Sequence, residues 1–302
     1  MSCAKLRGQL EGQPNGAEGE GELKIGAMIF ATDQSIKMTR LAPELEIRGF
    51  ESLWLPEKTH LPVSRKTPWP GGELPEWYKR TLDPWVALAA AAAVTSTLRV
   101  GTGVLLVPVH DPVILAKAVA SLDWQSEGRF EFGIGYGWNV EEYVTHGVDL
   151  VEAPDILRDK MALMQELWMH EIGRHEGEYV RVEPCWSWPK PIGKARPPTH
   201  VGARASQAIF RDIASYADGW IPIEGYGDIL EQIPRLRDAF EAEGRSRDEA
   251  LVSVYASSGE LALLEEYQKA GVHRVIVSLP SADESEVFGA LDTLSKRLSG
   301  WL

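Results

Sequence analysis

The sequence predicts an α/β fold, a (β/α)8 TIM-like barrel with insertions after its second and fourth strands. Three observations lead there. Short runs of β-branched and apolar residues alternate with longer helical patterns along the chain. Most of those runs are continuously apolar, as parallel strands covered on both faces must be. They number eight, the count that closes a barrel, whereas an open doubly wound sheet gives no reason to stop there.

In order, the strands are "LKIGAMIF" (23–30), "ESLWLPE" (51–57), "RVGTGVLLV" (99–107), "RFEFGIGYG" (129–137), "THVGA" (199–203), "GWIPI" (219–223), "LVSVYAS" (251–257) and "RVIVSLP" (274–280). Helices fill the gaps. "DPWVALAAAAAVT" opens with Asp83 as N-cap and Pro84 in the first helical position, and "DPVILAKAVASLDWQ" repeats the signal at Asp111 and Pro112. "YGDILEQIPRLRDAFEAEG" and "SGELALLEEYQKAG" end on Gly244 and Gly271, suited to a left-handed C-terminal residue. A further helix begins near Ala205, and the final one near Asp283. Two connections exceed what a barrel needs: residues 58–82, and residues 138–198 with an extra helix and a small hairpin around "EGEYVRVEP". Both follow the C-terminal ends of strands, where barrel active sites form, and loops this long are usually functional.

Composition narrows the function. With 44% hydrophobic and 25% charged residues, 302 residues can bury a large core. The 31 basic and 44 acidic residues leave −13, a surface that repels phosphate backbones and anionic lipid, so nucleic-acid and membrane roles are not expected. Two cysteines, Cys3 and Cys185, suit a reducing cytoplasm rather than a disulfide framework. Residues 1–22, rich in Gly and Glu, read as a mobile tail rather than a signal peptide, and 23–302 as a single barrel domain. The longest apolar run, Val86 to Val94, is too short to cross a bilayer.

Four stretches carry candidate chemistry. At the mouth of strand two, Glu57, Lys58 and His60 follow a buried run; in extended chain Lys58 and His60 share a face and Glu57 points away. Gly101 and Gly103 inside strand three suggest a bulge or close backbone approach by a ligand. Gly133, Gly135 and Gly137 lead onto Trp138 and Asn139 and clear one face for a flat ring. After strand five, Gly202 to Ser206 form a turn into a helix, where backbone N–H groups, Arg204 and Ser206 suit a phosphate. No nucleophile elbow, phosphate-loop lysine or paired-histidine metal spacing occurs, and no metal is expected. His170, His175 and His273 read as helix-end or solvent residues. Trp54 and Trp220 read as structural, whereas Trp138, Trp186 and Trp188, with Tyr143, suit a pocket for a hydrophobic or planar molecule.

In this order the stretches "GFESLWLPEKTHLPVS", "LDPWVALAAAAAVTSTLRVGTGVLLVPVHDPVILAKAVASLD", "GRFEFGIGYGWNVEE", "CWSWPKP" and "YADGWIPI" resemble the luciferase-like monooxygenase superfamily, in its branch of F420-dependent oxidoreductases. The resemblance runs from Leu23 to about Ile223. It implies a flavin or deazaflavin across the barrel's C-terminal mouth, lined by Phe30 and by Trp54 to His60. It also implies a non-prolyl cis peptide at Gly103–Val104 behind the ring, approach of Gly135, Gly137 and Trp138 to ring or ribityl chain, and a phosphate on Gly202, Ala203, Arg204, Ala205 and Ser206. Many such relatives form dimers.

Three positions depart from the family pattern. Glu57–Lys58 stands where the family commonly has Glu-His, Ala203 replaces the second glycine of the phosphate turn, and "KARPP" replaces His-Pro-Pro. Lysine supplies charge but exchanges protons poorly near neutrality unless buried. Three functions follow. The first is a cytoplasmic oxidoreductase passing hydride through F420 to or from a small organic substrate, with Lys58 or His60 stabilising charge and Glu57 orienting them. The second is an FMN-dependent monooxygenase. The third is a barrel that has lost its redox chemistry and acts as a binding protein. For the acidic tail of F420, Arg204, Lys190, Lys194 and Arg196 are the basic candidates.

Overall fold

The computed structural model describes residues 22–193 and 196–302. Apart from Glu22, the expected tail lies outside these residues, as does Lys194. Among the described residues eight parallel strands close a barrel: β1 (Lys24–Met28), β2 (Ser52–Leu55), β3 (Arg99–Thr102), β4 (Phe130–Gly135), β7 (Thr199–Gly202), β8 (Gly219–Trp220), β9 (Leu251–Ser257) and β10 (Arg274–Ser278), with β10 returning to β1. β5 (Gly173–Glu176) and β6 (Arg181–Cys185) form the expected hairpin outside it.

Each predicted strand is present, and the helices between them are α1 (Met38–Ile47), α2 (Pro84–Ala92), α3 (Pro112–Gln125), α6 (Gln207–Tyr216), α7 (Ile229–Ala242), α8 (Leu261–Lys269) and α9 (Glu284–Arg297). α4 (Val140–Thr145) and α5 (Ala153–Met169) belong to the second insertion. The caps act as their residue types dictate: Asp83 accepts from Val86 N, Asp111 from Val113 N and Ile114 N, and Asp283 from Glu286 N. Gly244 and Gly271, at φ of 75° and 72°, take the left-handed conformation just past α7 and α8.

Two boundaries shift. β3 stops at Thr102 instead of residue 107: Gly103–Val104 is cis, as the resemblance implied, and beyond it only Leu105 bridges to Ile134 before a 3-10 turn at Val107–Val109. α6 starts two residues later than expected because Ser206 caps it, accepting from Ile209 N at 3.2 Å.

The apolar core lies between strands and helices, where Leu53, Leu55, Val100, Phe130, Ile134 and Val201 are buried. The barrel interior is different. Trp54 is fully buried inside it, with Nε1 donating to Ser52 Oγ at 2.8 Å and the Arg274 guanidinium 5.2 Å from its ring. Room for that ring comes from Gly101, where a Cβ would lie 2.7 Å from Trp54 Cε3. Beneath it Arg274 bridges Glu51 (2.6 Å) and Glu131 (3.2 Å), and Glu131 also bonds His200 at 2.6 Å. Trp54 is therefore a fully buried structural residue beneath the mouth. His273 lies just past the end of α8, as a helix-end residue, and is half-buried; burial with the nearby charges of Arg274 and Lys24 pushes its imidazole down to about 3.

Candidate active site

At the C-terminal end of the barrel, Met28, Trp54, Ile221, Tyr255 and Ile276 form a buried plug on which half-buried Phe30, Val104 and Ala256 pack. The glycines expected to admit a ligand mostly admit protein. A Cβ on Gly103 would lie 2.5 Å from Tyr255 Cε2, one on Gly133 would strike Thr102 O, and one on Gly137 would lie 2.7 Å from Tyr143 Cε2. Val104 occupies a notch between two strands: a Cβ on Gly135 would be 2.6 Å from its Cγ2, and one on Gly202 2.7 Å from its Cγ1. The alternating glycines thus shape β3, β4 and β7 around one valine and two phenol rings.

The two long connections meet over this floor, and α4 joins them. Lys58 Nζ donates to Glu142 Oε2 at 2.6 Å in a buried ion pair. Next to it on α4, Glu141 faces outward and holds the first insertion, accepting from Ser64 Oγ (2.8 Å), Lys66 N (3.1 Å) and the Thr67 hydroxyl. The hydroxyls of Thr67 and Ser64 bring the Glu141 carboxyl down to about 2. At the end of α4, His146 Nε2 lies 3.0 Å from Thr59 Oγ1, which is 3.1 Å from His60 Nδ1. Lys58 and His60 therefore do share a face, the one toward α4, and Glu57 points away.

Glu57 does not orient either of them, contrary to expectation. Its Oε2 accepts from Leu106 N at 2.7 Å and its Oε1 lies 2.6 Å from His110 Nε2, which fixes the chain just after β3. Glu142 takes the expected role of Glu57. The sequence "NVEE" signals only the helix start there: Asn139 caps α4 by accepting from Glu142 N at 3.0 Å.

Aromatic side chains cover the pair. The Lys58 ammonium lies 5.4 Å from the Trp138 ring and 5.8 Å from Tyr78, and Trp138 Nε1 donates to Tyr78 OH at 3.1 Å. Phe30 packs on Trp77 (4.2 Å between centroids) and Tyr78 (5.2 Å), with Trp69 5.6 Å from Tyr78. Trp69, Trp77 and Tyr78 belong to the first insertion, and the sequence offered only the loop's length as a signal.

Trp186 and Trp188, the aromatic candidates in the second insertion, are exposed elsewhere. Their segment packs on the barrel's flank, where Lys190 Nζ donates to Leu167 O and His170 O at the end of α5. Tyr143 is buried beneath the loop, donating to Tyr136 O. Arg196 pairs with Asp218 at the N-terminal end of β7, so of the described basic candidates for an acidic tail only Arg204 stands at the mouth. His175 bonds Asp159 at 2.6 Å in the hairpin.

The donor set fits a flat polar heterocycle. Tyr255 OH, Asn139 Nδ2, Glu142 Oε1 and His60 Nε2 are buried and have no hydrogen-bond partner among the described residues. Tyr255 belongs to the cluster on which Phe30, Val104 and Ala256 pack, while Asn139 and Glu142 lie at the start of α4 with the Lys58 pair, and together they offer donors and acceptors suited to a ring with amide-like edges. The Gly202–Ser206 turn follows directly, with Ala203 O accepting from Trp220 Nε1 at 2.8 Å. Among the described residues no group of three or more His, Cys, Asp or Glu is placed to hold a metal ion, and no helix is long and apolar enough to cross a membrane.

A closed parallel barrel with convergent polar groups at its C-terminal mouth defines a barrel enzyme. The chain belongs to the luciferase-like monooxygenase family, whose model matches residues 24–286, and is an oxidoreductase of that family. It is 37% identical over 281 residues to an uncharacterized protein of Mycobacterium tuberculosis, Rv0953c, covering 92% of this chain and 99% of that one. It is 32% identical over 224 residues to the F420-dependent glucose-6-phosphate dehydrogenase of Nakamurella multipartita, covering 70% and 60% respectively. Its fold is similar to that of the monooxygenase RslO1 from Streptomyces bottropensis, with a TM-score of 0.72 and 18% identity over 92% of this chain and 99% of that one.

Proposed function

We propose that the protein is a cytoplasmic oxidoreductase that uses the deazaflavin F420 to move hydride to or from a small organic substrate. The observation that carries this reading is the set of buried polar atoms without a partner among the described residues, Tyr255 OH, Asn139 Nδ2, Glu142 Oε1 and His60 Nε2, with Tyr255 under the Phe30–Val104–Ala256 platform. The similarity to an F420-dependent dehydrogenase supports the choice of cofactor.

Bound there, the deazaflavin supplies the hydride chemistry and the protein supplies position and charge. Phe30 and Val104 would support the ring, and Gly202 to Ser206 would receive its phosphate. Lys58, held by Glu142, would lie beside the bound ring, where low dielectric would strengthen its effect on a substrate oxygen gaining negative charge. Because Tyr78 and Trp138 cover the ammonium, it acts as a fixed charge and His60 is the better placed proton carrier. Trp69, Trp77 and Tyr78 exclude water and favour a planar or apolar substrate.

A second reading, an FMN-dependent monooxygenase, gains from the placement of Lys190 and Arg196 away from the mouth, which leaves little basic surface for a long acidic tail. Titrating F420 and FMN separately with purified protein and following their fluorescence separates the two. Saturable quenching of F420 is expected. Quenching of FMN alone eliminates the deazaflavin reading, and quenching of neither leaves a binding protein.

A further inference from the structure

Where the two long connections meet, one hydroxyl stands between two imidazoles. Thr59 Oγ1 lies 3.1 Å from His60 Nδ1 and 3.0 Å from His146 Nε2, although His146, the C-cap of α4, is 87 residues further along the chain. The two ring centroids are 5.4 Å apart. The three side chains grade from wet to dry. Thr59 and His146 are exposed, His60 is half-buried, and its Nε2 is buried with no hydrogen-bond partner among the described residues. Lys58, two positions before His60, is already in its dry ion pair with Glu142.

Thr59 has a single hydroxyl hydrogen, so it cannot donate to both rings, and at least one of the two ring nitrogens carries a hydrogen of its own. When Thr59 donates to His60 Nδ1 and accepts from His146 Nε2–H, neutral His60 keeps its hydrogen on the buried Nε2 and is a donor there. With both bonds reversed, Nε2 is bare and accepts. Shifting every hydrogen one place converts the first arrangement into the second. Partial desolvation, and then the nearby charge of His60, lower the His146 imidazole; His110 lowers it further, while Glu142 and Glu57 act against them. A ring kept neutral near pH 7 can both take and give a proton.

We propose that His146, Thr59 and His60 form a proton relay between solvent and the barrel mouth, with His146 as its outer end and His60 Nε2 as its inner end. The relay rests on the reading of the mouth as an active site in which His60 carries protons. In an inward transfer His146 takes a proton from water on Nδ1 and passes the one on Nε2 to Thr59 Oγ1. Thr59 passes its own hydrogen to His60 Nδ1, and His60 gives the one on Nε2 to the acceptor in the mouth. One proton enters and one leaves, so the three side chains keep their net charge, and transfer in the opposite direction restores the first arrangement. Lys58, locked to Glu142, has no proton to move in this scheme.

The test uses the purified protein without cofactor, labelled with nitrogen-15 histidine, and measures how fast the His60 Nε2 hydrogen exchanges with water. His146→Gln and Thr59→Val should each slow that exchange about 10²-fold, the scale on which a positioned imidazole speeds proton transfer, and Thr59→Ser should keep the wild-type rate. A purely structural role gives the opposite sign, because loosening two exposed side chains admits water to Nε2 and speeds exchange. Unchanged or faster exchange in either His146→Gln or Thr59→Val overturns the relay. Titration with F420 and FMN separates the two readings. Quenching of neither defeats the redox reading alone, because exchange is measured without cofactor, and loss of the relay with F420 still quenched leaves that reading standing with another proton carrier.

Discussion

Lys58 Nζ and Glu142 Oε2 lie 2.6 Å apart with 5% and 0% of their side chains exposed, so one ion pair joins the connection after β2 to the helix after β4. The residues stand 84 positions apart in the chain. Their pairing ties the two insertions together.

Removing either partner strands the other charge in a dry site, which costs about 3–5 kcal/mol. Glu142→Gln and Lys58→Met should each lose stability on that scale in chemical denaturation. The double variant Lys58→Met with Glu142→Leu should recover most of it, because two apolar side chains replace the pair. Losses that simply add would refute the coupling.

Val104 fills the space that Gly135 and Gly202 leave on neighbouring strands. Gly135→Ala forces its new methyl into Val104 and should destabilise by about 1–3 kcal/mol, the usual cost of overpacking. Adding Val104→Ala should return part of the loss. Thermal melting of the three proteins is the check, and no relief in the double variant would contradict the contact.

Glu141 gathers donors from Ser64, Lys66 and Thr67, yet it is a surface residue. Glu141→Ala should therefore loosen residues 62–75 while leaving global melting nearly unchanged, since local opening and global unfolding are separate equilibria. Limited proteolysis should cut the variant faster in that loop. With its folded carboxyl at about 2, below the ordinary value of 4.5, the clasp is fully present above pH 4.5 and is lost as pH falls through 2. Cleavage of wild type should rise in that window with an acid-tolerant protease.

Burial holds His273 neutral, with its pKa at about 3 against an ordinary 6.5. Its contribution to stability is whole above pH 6.5, where folded and unfolded chains are both neutral. As pH falls toward 3 the unfolded chain takes up the proton first, and stability drops by up to about 1.4 kcal/mol per pH unit. Urea denaturation between pH 6.5 and 4.5 should show this slope, and His273→Gln should flatten it.

Much of the barrel was legible because its signals are local. Proline after aspartate starts α2 and α3 wherever the chain goes next, and glycine after α7 and α8 ends them by its own backbone freedom. The site was legible only in outline. Position marked Lys58 and His60 at the mouth of β2, and the resemblance implied the cis bond at Gly103–Val104. Nothing local showed that Tyr255 and Trp54 would occupy the space at Gly103 and Gly101, because that space is defined by strands distant in sequence.

The sequence by itself determined eight strands, their helices, the two long connections and the family, since periodicity, caps and motif order are properties of neighbouring residues. Tertiary structure alone decided that Glu142 and not Glu57 holds Lys58, and that Trp77 and Tyr78 pack with Phe30 at the mouth while Trp186 and Trp188 do not. The physical reason is barrel closure. It brings together strand ends separated by tens of residues, and a carboxylate or a ring is then committed to whichever partner that closure delivers.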